Sequence, residues 1–218
     1  MPRDFRLQPA VLALAALCCA AGGAAAQERS NVVKFGVVRY TTHSKTSGVT
    51  GPGVPPGADA STGDATTVAF EYERLLGPNW GVEVALGVPP RIHARATGTV
   101  SYLGDDILSA KNVSPTLFVN YHFGAPGARW RPYVGLGINY TRFTGATSRL
   151  ASQVELSDSV GPAGKAGVEY VLSPQWSLFA SVSAIKVKSD LVASGSTVLQ
   201  TSIDFRPILY TIGTSYRF

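Results

Sequence analysis

The sequence predicts an all-β protein: an eight-stranded antiparallel transmembrane β-barrel with short periplasmic turns and long extracellular loops. Apolar and polar residues alternate with a period of two in eight segments, and short connections alternate with long ones. Aromatic residues collect at one end of these segments. Only 15% of the 218 residues are charged, which argues against long disorder and coiled coils. Mean hydropathy is +0.12, a mild excess that points toward a membrane.

The N-terminal region has the three parts of a secretory signal peptide. These are a basic start, a short apolar core and an Ala-x-Ala cleavage site, at Arg3 and Arg6, at 11–19 and at 24–26. A spanning helix would need ~20 apolar residues, more than this core offers. We therefore predict a cleaved signal peptide over 1–26 and an outer-membrane β-barrel over 27–218. Both cysteines of the chain lie in the leader, so the mature protein is expected to fold without disulfides.

Eight segments of the mature chain have one apolar face and one mostly polar face, as half-buried strands do. They cover 33–37, 67–73, 80–88, 113–123, 131–141, 160–172, 176–184 and 208–218. No mature segment has the ~18 unbroken apolar residues of a membrane helix. An even number of alternating strands is typical of a bacterial outer-membrane barrel.

The connections between these segments fall into two classes. Three are short and contain Gly, Pro or Asn, at 75–79, 124–129 and 173–175. Four are long and polar, at 41–65, 89–112, 144–158 and 188–203. The first long connection contains the low-complexity stretch 51–57, which we interpret as part of a mobile surface loop and not as a domain linker.

A soluble β-sandwich also alternates, but it keeps its apolar face inside. Trp80, Trp130 and Trp176 each follow one of the short turns and lie on the apolar face. Amphipathic rings at one level form an interfacial girdle, so we expect the apolar face to contact outer-membrane lipids. The chain ends in Phe218, and a terminal aromatic after an alternating strand resembles the sorting signal that the barrel-assembly machinery recognises.

The polar face predicts a filled lumen, because eight strands leave room for little more than side chains. Both signs of charge lie on this face, and buried charges must be paired, so we expect an internal ion-pair network. A few apolar residues interrupt this mostly polar inward face. Together with small residues, they are candidates for lining a ligand site in the upper lumen. These candidate lumen residues are Phe118, Phe179, Leu209, Ala85 and Ser183. The alternative is that the larger ones only fill space.

Three prolines mark the outer ends of two neighbouring strands. Pro89 and Pro90 follow the third segment, and Pro115 lies near the start of the fourth. Proline cannot donate to a strand ladder, so the seam between these strands is expected to be weak at its outer end. We predict a lateral exit there that delivers an apolar ligand to lipid. The alternative is that the prolines only terminate strands.

Catalytic chemistry has little support in the sequence. A lipid-modifying enzyme needs a base beside a nucleophile, and the loop-side candidates are His43 and His93, with Ser44 or Ser101. No spacing links them into a triad, so we expect no catalytic residues. We also expect no metal site and no cofactor. The net charge of +5 is dispersed, which predicts no nucleic-acid partner.

Several stretches together resemble the OmpW family of bacterial outer-membrane proteins. The most specific is 131–140, RPYVGLGINY, supported by 81–84, 95–98, 114–117, 161–170 and the ending 215–218. The first long connection matches the family pattern least. The resemblance implies an outer-membrane barrel that passes small hydrophobic molecules through a narrow lumen. A structural or adhesive barrel without transport, and a lipid-modifying enzyme, remain the alternatives.

Overall fold

The computed structural model describes residues 30–42, 44–46, 48–149, 151, 153–194 and 198–218. The predicted signal peptide and His43 lie outside these residues. The strands are β1 Asn31–Thr41, β2 Ser44–Thr46, β3 Ala58–Thr62, β4 Ala65–Leu75, β5 Trp80–Gly87, β6 Arg91–Gly98, β7 Leu108–Val113, β8 Thr116–His122, β9 Trp130–Ser148, β10 Gln153–Leu156, β11 Ser159–Val171, β12 Trp176–Ile185, β13 Val187–Ser194, β14 Val198–Phe205 and β15 Ile208–Arg217. A 3-10 turn spans Ser101–Leu103. In the described part of the chain, no helix has the length and apolar character needed to cross a membrane.

Eight strands close into the predicted antiparallel barrel. Their order around it is β1, β4, β5, β8, β9, β11, β12 and β15, and β15 pairs back with β1. The pairing of β9 with β11 joins the two halves along twelve residue pairs, from Ser159–Thr141 to Tyr170–Trp130. Every strand of the barrel thus has two neighbours, and no edge is left open in this ring.

The outer connections differ from the expected loops because they contain strands of their own. β9 continues beyond the barrel and pairs with β7, which continues the sheet through β6 to β3. The strands β10, β13, β14 and β2 form a second sheet. Even the first connection, interpreted from the sequence as a mobile loop, contributes β3 to this extension. The buried residues of β3, β6 and β7 are small, namely the alanines at 58, 94, 96 and 110. Because alanine is only weakly hydrophobic, the alternation of apolar and polar residues is hard to recognise in these strands.

The apolar face points outward, as a membrane barrel requires and a sandwich does not. Leu136, Val160 and Ile212 are 78%, 71% and 67% exposed. The largest fully buried side chains of the described residues include Lys34 and Arg131 instead. Exposed aliphatic side chains around a charged interior are stable only when lipid surrounds the barrel.

The aromatic girdle is built from three matching cross-strand pairs. Ring centroids are 4.9 Å apart for Trp80–Tyr121, 4.6 Å for Trp130–Tyr170 and 4.9 Å for Trp176–Tyr216. Each tryptophan opens the strand after a short turn and lies opposite its tyrosine in the ladder. The three pairs therefore mark one level, at the periplasmic boundary of the membrane.

Candidate functional site

The periplasmic half of the lumen is filled by an ionic plug, which we define as Lys34, Glu71, Glu73, Glu83, His122, Lys165 and Glu169. Lys34 Nζ lies 2.8 Å from Glu83 Oε2 and 2.9 Å from Glu73 Oε2. Lys165 Nζ lies 3.0 Å from Glu71 Oε2 and also contacts Glu83. His122 Nε2 is 2.8 Å from Glu73 Oε1. The internal network expected from alternation is therefore present.

Uncharged side chains complete this plug. The Asn120 amide donates to Glu73 at 2.9 Å and to Glu83 at 3.1 Å. The Tyr133 ring lies under the Lys34 ammonium, 4.9 Å from its centroid. Because these buried side chains fill the cross-section of an eight-stranded barrel, the plug leaves no wide aqueous route along the barrel axis.

Phe118 lies at the upper end of the plug and lines a lumen cavity together with Glu71 and Lys165 of the plug. Lys165 Nζ lies 4.9 Å from the centroid of the Phe118 ring, which is itself almost fully buried. On its outer side is a lumen cavity of about 40 Å³. Four of the predicted lumen residues line this cavity, namely Phe118, Ala85, Ser183 and Leu209. Phe179 does not line it, because its ring lies deeper, 5.9 Å from the Lys34 ammonium.

A larger cavity, which we call the vestibule, lies between the two outer sheets. Its volume is about 270 Å³. Its lining is mostly aliphatic and aromatic, including Ile92, Val100, Leu108, Phe143, Leu191 and Phe205. The buried alanines of β3, β6 and β7 also face it, so their small size is what leaves this space open.

A narrow cavity of about 20 Å³ links the vestibule to the lumen cavity. It shares Ile92, Phe143 and Phe205 with the vestibule. It shares Ser114 and Ile185 with the lumen cavity. The Phe143 and Phe205 rings, 5.8 Å apart between centroids, form the constriction. The three cavities thus follow one another from the outer sheets into the barrel, and two phenylalanines bound the smallest of them.

Sequence reasoning missed both constriction residues. Phe143 continues the inward parity of Tyr133 and Thr141, so extending that strand by two residues would have placed it inside. Phe205 ends β14, in a stretch assigned to a loop boundary, and no local pattern pairs it with Phe143.

The seam between β5 and β8 is interrupted where the prolines lie. Their pairing ends at Ala85–Thr116, and pairing resumes between β6 and β7 at Arg91–Lys111. Among the described residues between these points, a single main-chain hydrogen bond crosses, from the Asn112 amide to the Pro90 carbonyl at 3.1 Å. Leu86 and Gly87 on one margin and Ser114 on the other line the lumen cavity, so that cavity reaches the interruption.

The three prolines contribute differently to the interruption. The Pro90 carbonyl accepts from Asn112 across the seam, so the missing amide of Pro90 is on the seam side. The Pro115 carbonyl instead accepts from the Tyr140 amide at 3.0 Å, which turns Pro115 toward β9. Pro89 is exposed at the margin beside Val88, whose amide bonds to β4 through Val68. Pro90 thus removes a donor from the seam, Pro89 lies at its margin, and Pro115 directly precedes the start of β8.

His93, the loop-side base candidate within the described residues, has an acidic partner. His93 Nδ1 pairs with Asp106 on the exposed outer sheet. No serine hydroxyl lies within hydrogen-bonding distance of His93 among the residues that the structure describes. Within the same residues, no group of three or more His, Cys, Asp or Glu side chains is placed to hold a metal ion.

The comparisons with known proteins agree with this geometry. The chain is 31% identical to outer membrane protein AlkL of Ectopseudomonas oleovorans over 77% of this chain and 73% of the relative. It is 30% identical to outer membrane protein W of Vibrio cholerae, over 88% and 90% of the two chains. The crystal structure of OprG from Pseudomonas aeruginosa has the same fold, with a TM-score of 0.78, 24% identity and coverage of 87% and 95%. The profile of the OmpW family matches residues 27–218. This outer-membrane barrel therefore belongs to the OmpW family.

Proposed function

We propose that this barrel passes small apolar molecules from the vestibule into the lumen cavity and out through the β5–β8 interruption into the outer leaflet. The observation that carries the proposal is that the lumen cavity is lined by both margins of the interruption, at Gly87 and Ser114. A ligand at this point is next to the exposed side chains of Leu86 and Val88, which contact lipid tails. An apolar molecule can therefore leave without crossing water.

The ionic plug favours a lateral exit over an axial one. A molecule that continued toward the periplasm would have to displace the ion pairs of Lys34 and Lys165. Breaking a buried ion pair costs ~3–5 kcal/mol, and an apolar molecule offers no hydrogen bonds in return. Exit through the barrel wall into lipid therefore requires less free energy than passage through the plug.

The substrate class follows from the size and lining of the vestibule. Its volume of about 270 Å³ is near the lower end of the ~300–1,000 Å³ of typical small-molecule pockets. Aliphatic and aromatic side chains predominate in its lining. We therefore propose small apolar compounds, such as short hydrocarbons and one- or two-ring aromatics, as the substrates.

A reversible cross-link across the interruption tests the exit. Val88 and Val113 are outward on opposite margins, 61% and 36% exposed, and the predicted mature chain contains no cysteine. In the Val88→Cys/Val113→Cys variant, a short reducible thiol cross-linker should suppress naphthalene uptake by Gram-negative cells expressing the protein. Reduction of the linker should restore uptake.

The matched control is Val82→Cys/Val119→Cys, whose positions are ladder partners in the continuous part of the same seam. Cross-linking there should leave uptake unchanged. Unchanged uptake in the cross-linked 88/113 variant would refute the lateral exit and favour a barrel without this transport function.

A further inference from the structure

Two cations lie at the outer end of the interruption, on the lipid-facing side of the barrel. Arg91 follows Pro90 directly, and Lys111 precedes the exposed Val113 by two residues. Arg91 and Lys111 are partners in the β6–β7 ladder, and both are exposed. A membrane strand has ~9–11 residues, and Arg91 is eleven residues beyond the girdle residue Trp80. This places the pair at the level of the outer-leaflet headgroups.

The pair is uncompensated in the structure. Like charges directly opposite each other in a ladder are destabilising, and directly opposed side chains have Cβ atoms ~4.5–5.5 Å apart. In the described part of the chain, neither cation has a carboxylate partner within ion-pair distance.

Four other cations on the outer part of the barrel do have such partners. Arg39 lies 3.4 Å from Asp64, Arg206 lies 2.8 Å from Asp204, and Arg142 lies 4.0 Å from Asp158. Arg95 on the outer sheet lies 3.1 Å from Asp105. Arg91 and Lys111 therefore form a concentrated positive site, whereas these neighbouring charges are neutralised.

The outer surface of the barrel between this pair and the centre of the membrane is apolar. Leu86, Val88 and Pro89 are exposed on one margin, and Val113 is exposed on the other. Two cations above a strip of exposed aliphatic groups match the shape of a lipid, with an anionic head and hydrocarbon chains. A free anion would use the cations but would leave this strip uncovered.

We propose that Arg91 and Lys111 bind the phosphate group of an outer-leaflet lipid whose acyl chains lie over the β5–β8 interruption. The phosphate accepts hydrogen bonds from both cations and removes their mutual repulsion. The acyl chains cover the exposed valines at the margins. This lipid site does not depend on transport, because it follows from charge and surface alone.

Binding of lipid A to the purified mature barrel, measured in detergent by native mass spectrometry, tests the site. The Arg91→Gln/Lys111→Gln variant should bind lipid A roughly ten- to thirtyfold more weakly, since each cation contributes about 1 kcal/mol at an anionic surface. The matched control is Lys186→Gln/Lys188→Gln, which removes the same charge from two exposed lysines, one directly after β12 and one in β13. It should bind lipid A nearly as well as the wild type.

Two further binding measurements distinguish a lipid phosphate from free phosphate. Lipid A stripped of its phosphates should bind the wild type weakly, and inorganic phosphate should not displace lipid A at comparable concentrations. Equal losses in the two double variants would overturn the proposal, because they would show only a diffuse effect of net charge. Displacement by inorganic phosphate, or unchanged lipid A binding by Arg91→Gln/Lys111→Gln, would also overturn it. Heat-modifiable gel migration checks that every variant is folded.

Discussion

Lys34 and Glu83 form a 2.8 Å ion pair at the centre of the barrel, with both side chains fully buried. They come from strands that are not neighbours, since β4 lies between β1 and β5. The pair therefore crosses the lumen and does not run along the wall. Glu83 also accepts a hydrogen bond from Lys165 on β11. The carboxylate therefore joins three strands at the level where the lumen is blocked.

Removing the Glu83 carboxylate should destabilise the barrel strongly. Glu83→Gln leaves two buried ammonium groups with fewer acceptors, and loss of one partner of a buried pair costs ~3–5 kcal/mol. We expect the free energy of unfolding, measured by urea titration of tryptophan fluorescence in lipid vesicles, to fall by about that amount.

Glu155→Gln is the control for this variant, because Glu155 is exposed on β10. Its effect on the unfolding free energy should stay within ~0.5 kcal/mol. If Glu83→Gln were equally harmless, the plug would be a passive filler and not a stabilising network.

Packing inside the lumen should depend on the glycines that face large side chains. A Cβ at Gly167 would lie 2.5 Å from Cζ of the Tyr133 ring and 2.8 Å from the Ala180 carbonyl oxygen. Gly167→Ala should therefore lower the unfolding free energy by ~1–3 kcal/mol, as overpacking does. The same urea titration measures it.

Gly164 supplies the control on the same strand, because a Cβ there meets no heavy atom within 4 Å. Gly164→Ala should leave stability unchanged or slightly higher, since Gly weakens a strand by ~0.5–1 kcal/mol relative to Ala. Equal effects of the two substitutions would contradict the packing argument.

Widening the constriction should speed transport. Phe205→Ala removes one ring of the Phe143–Phe205 pair, so the passage from the vestibule to the lumen cavity becomes broader. We expect the initial rate of naphthalene uptake to rise severalfold in expressing cells. Phe143→Trp should instead lower it, because the larger ring fills the same passage.

Phe35→Ala is the matched aromatic control, because this ring is 54% exposed on the lipid side. It should not change the uptake rate once expression is equalised. A fall in uptake on Phe205→Ala would show that the path does not run between these rings.

The last residue should act in assembly more than in folding. The Phe218 main chain makes two hydrogen bonds with Asn31, of 2.9 and 3.1 Å, and these survive in Phe218→Ser. We therefore expect nearly normal refolding of this variant into detergent, together with slower appearance of the folded barrel in cells. Pulse-labelling followed by heat-modifiable migration measures that rate.

Tyr216→Ser provides the comparison, because Tyr216 is also an aromatic of the last strand, paired with Trp176. It should affect assembly less than Phe218→Ser if the terminal ring is the recognised signal. Equal assembly rates for wild type and Phe218→Ser would contradict that interpretation.

The barrel strands, the direction in which their side chains point and the aromatic girdle could be predicted from the sequence. Each of them depends on the pattern of residues within one segment. Alternation assigns every residue of a strand to one of two faces, so it alone puts Phe118 and the charged residues of the polar face inside the barrel. The outer sheets could not be predicted in the same way. Their inward residues are alanines, such as Ala94 and Ala96, which carry too little hydrophobic contrast to reveal a period of two.

The sequence by itself determined an eight-stranded membrane barrel and a charged interior, and it predicted a weak seam at Pro89, Pro90 and Pro115. Tertiary structure decided which side chains meet above the plug. Phe143 and Phe205 meet only when β9 extends beyond the membrane and the second sheet closes against it. Phe179 and Phe118 both lie on the inward face of their strands, yet of the two only Phe118 lines the lumen cavity. Parity gives the face of a strand, whereas the height of a side chain in the lumen depends on the stagger between strands, which long-range pairing sets.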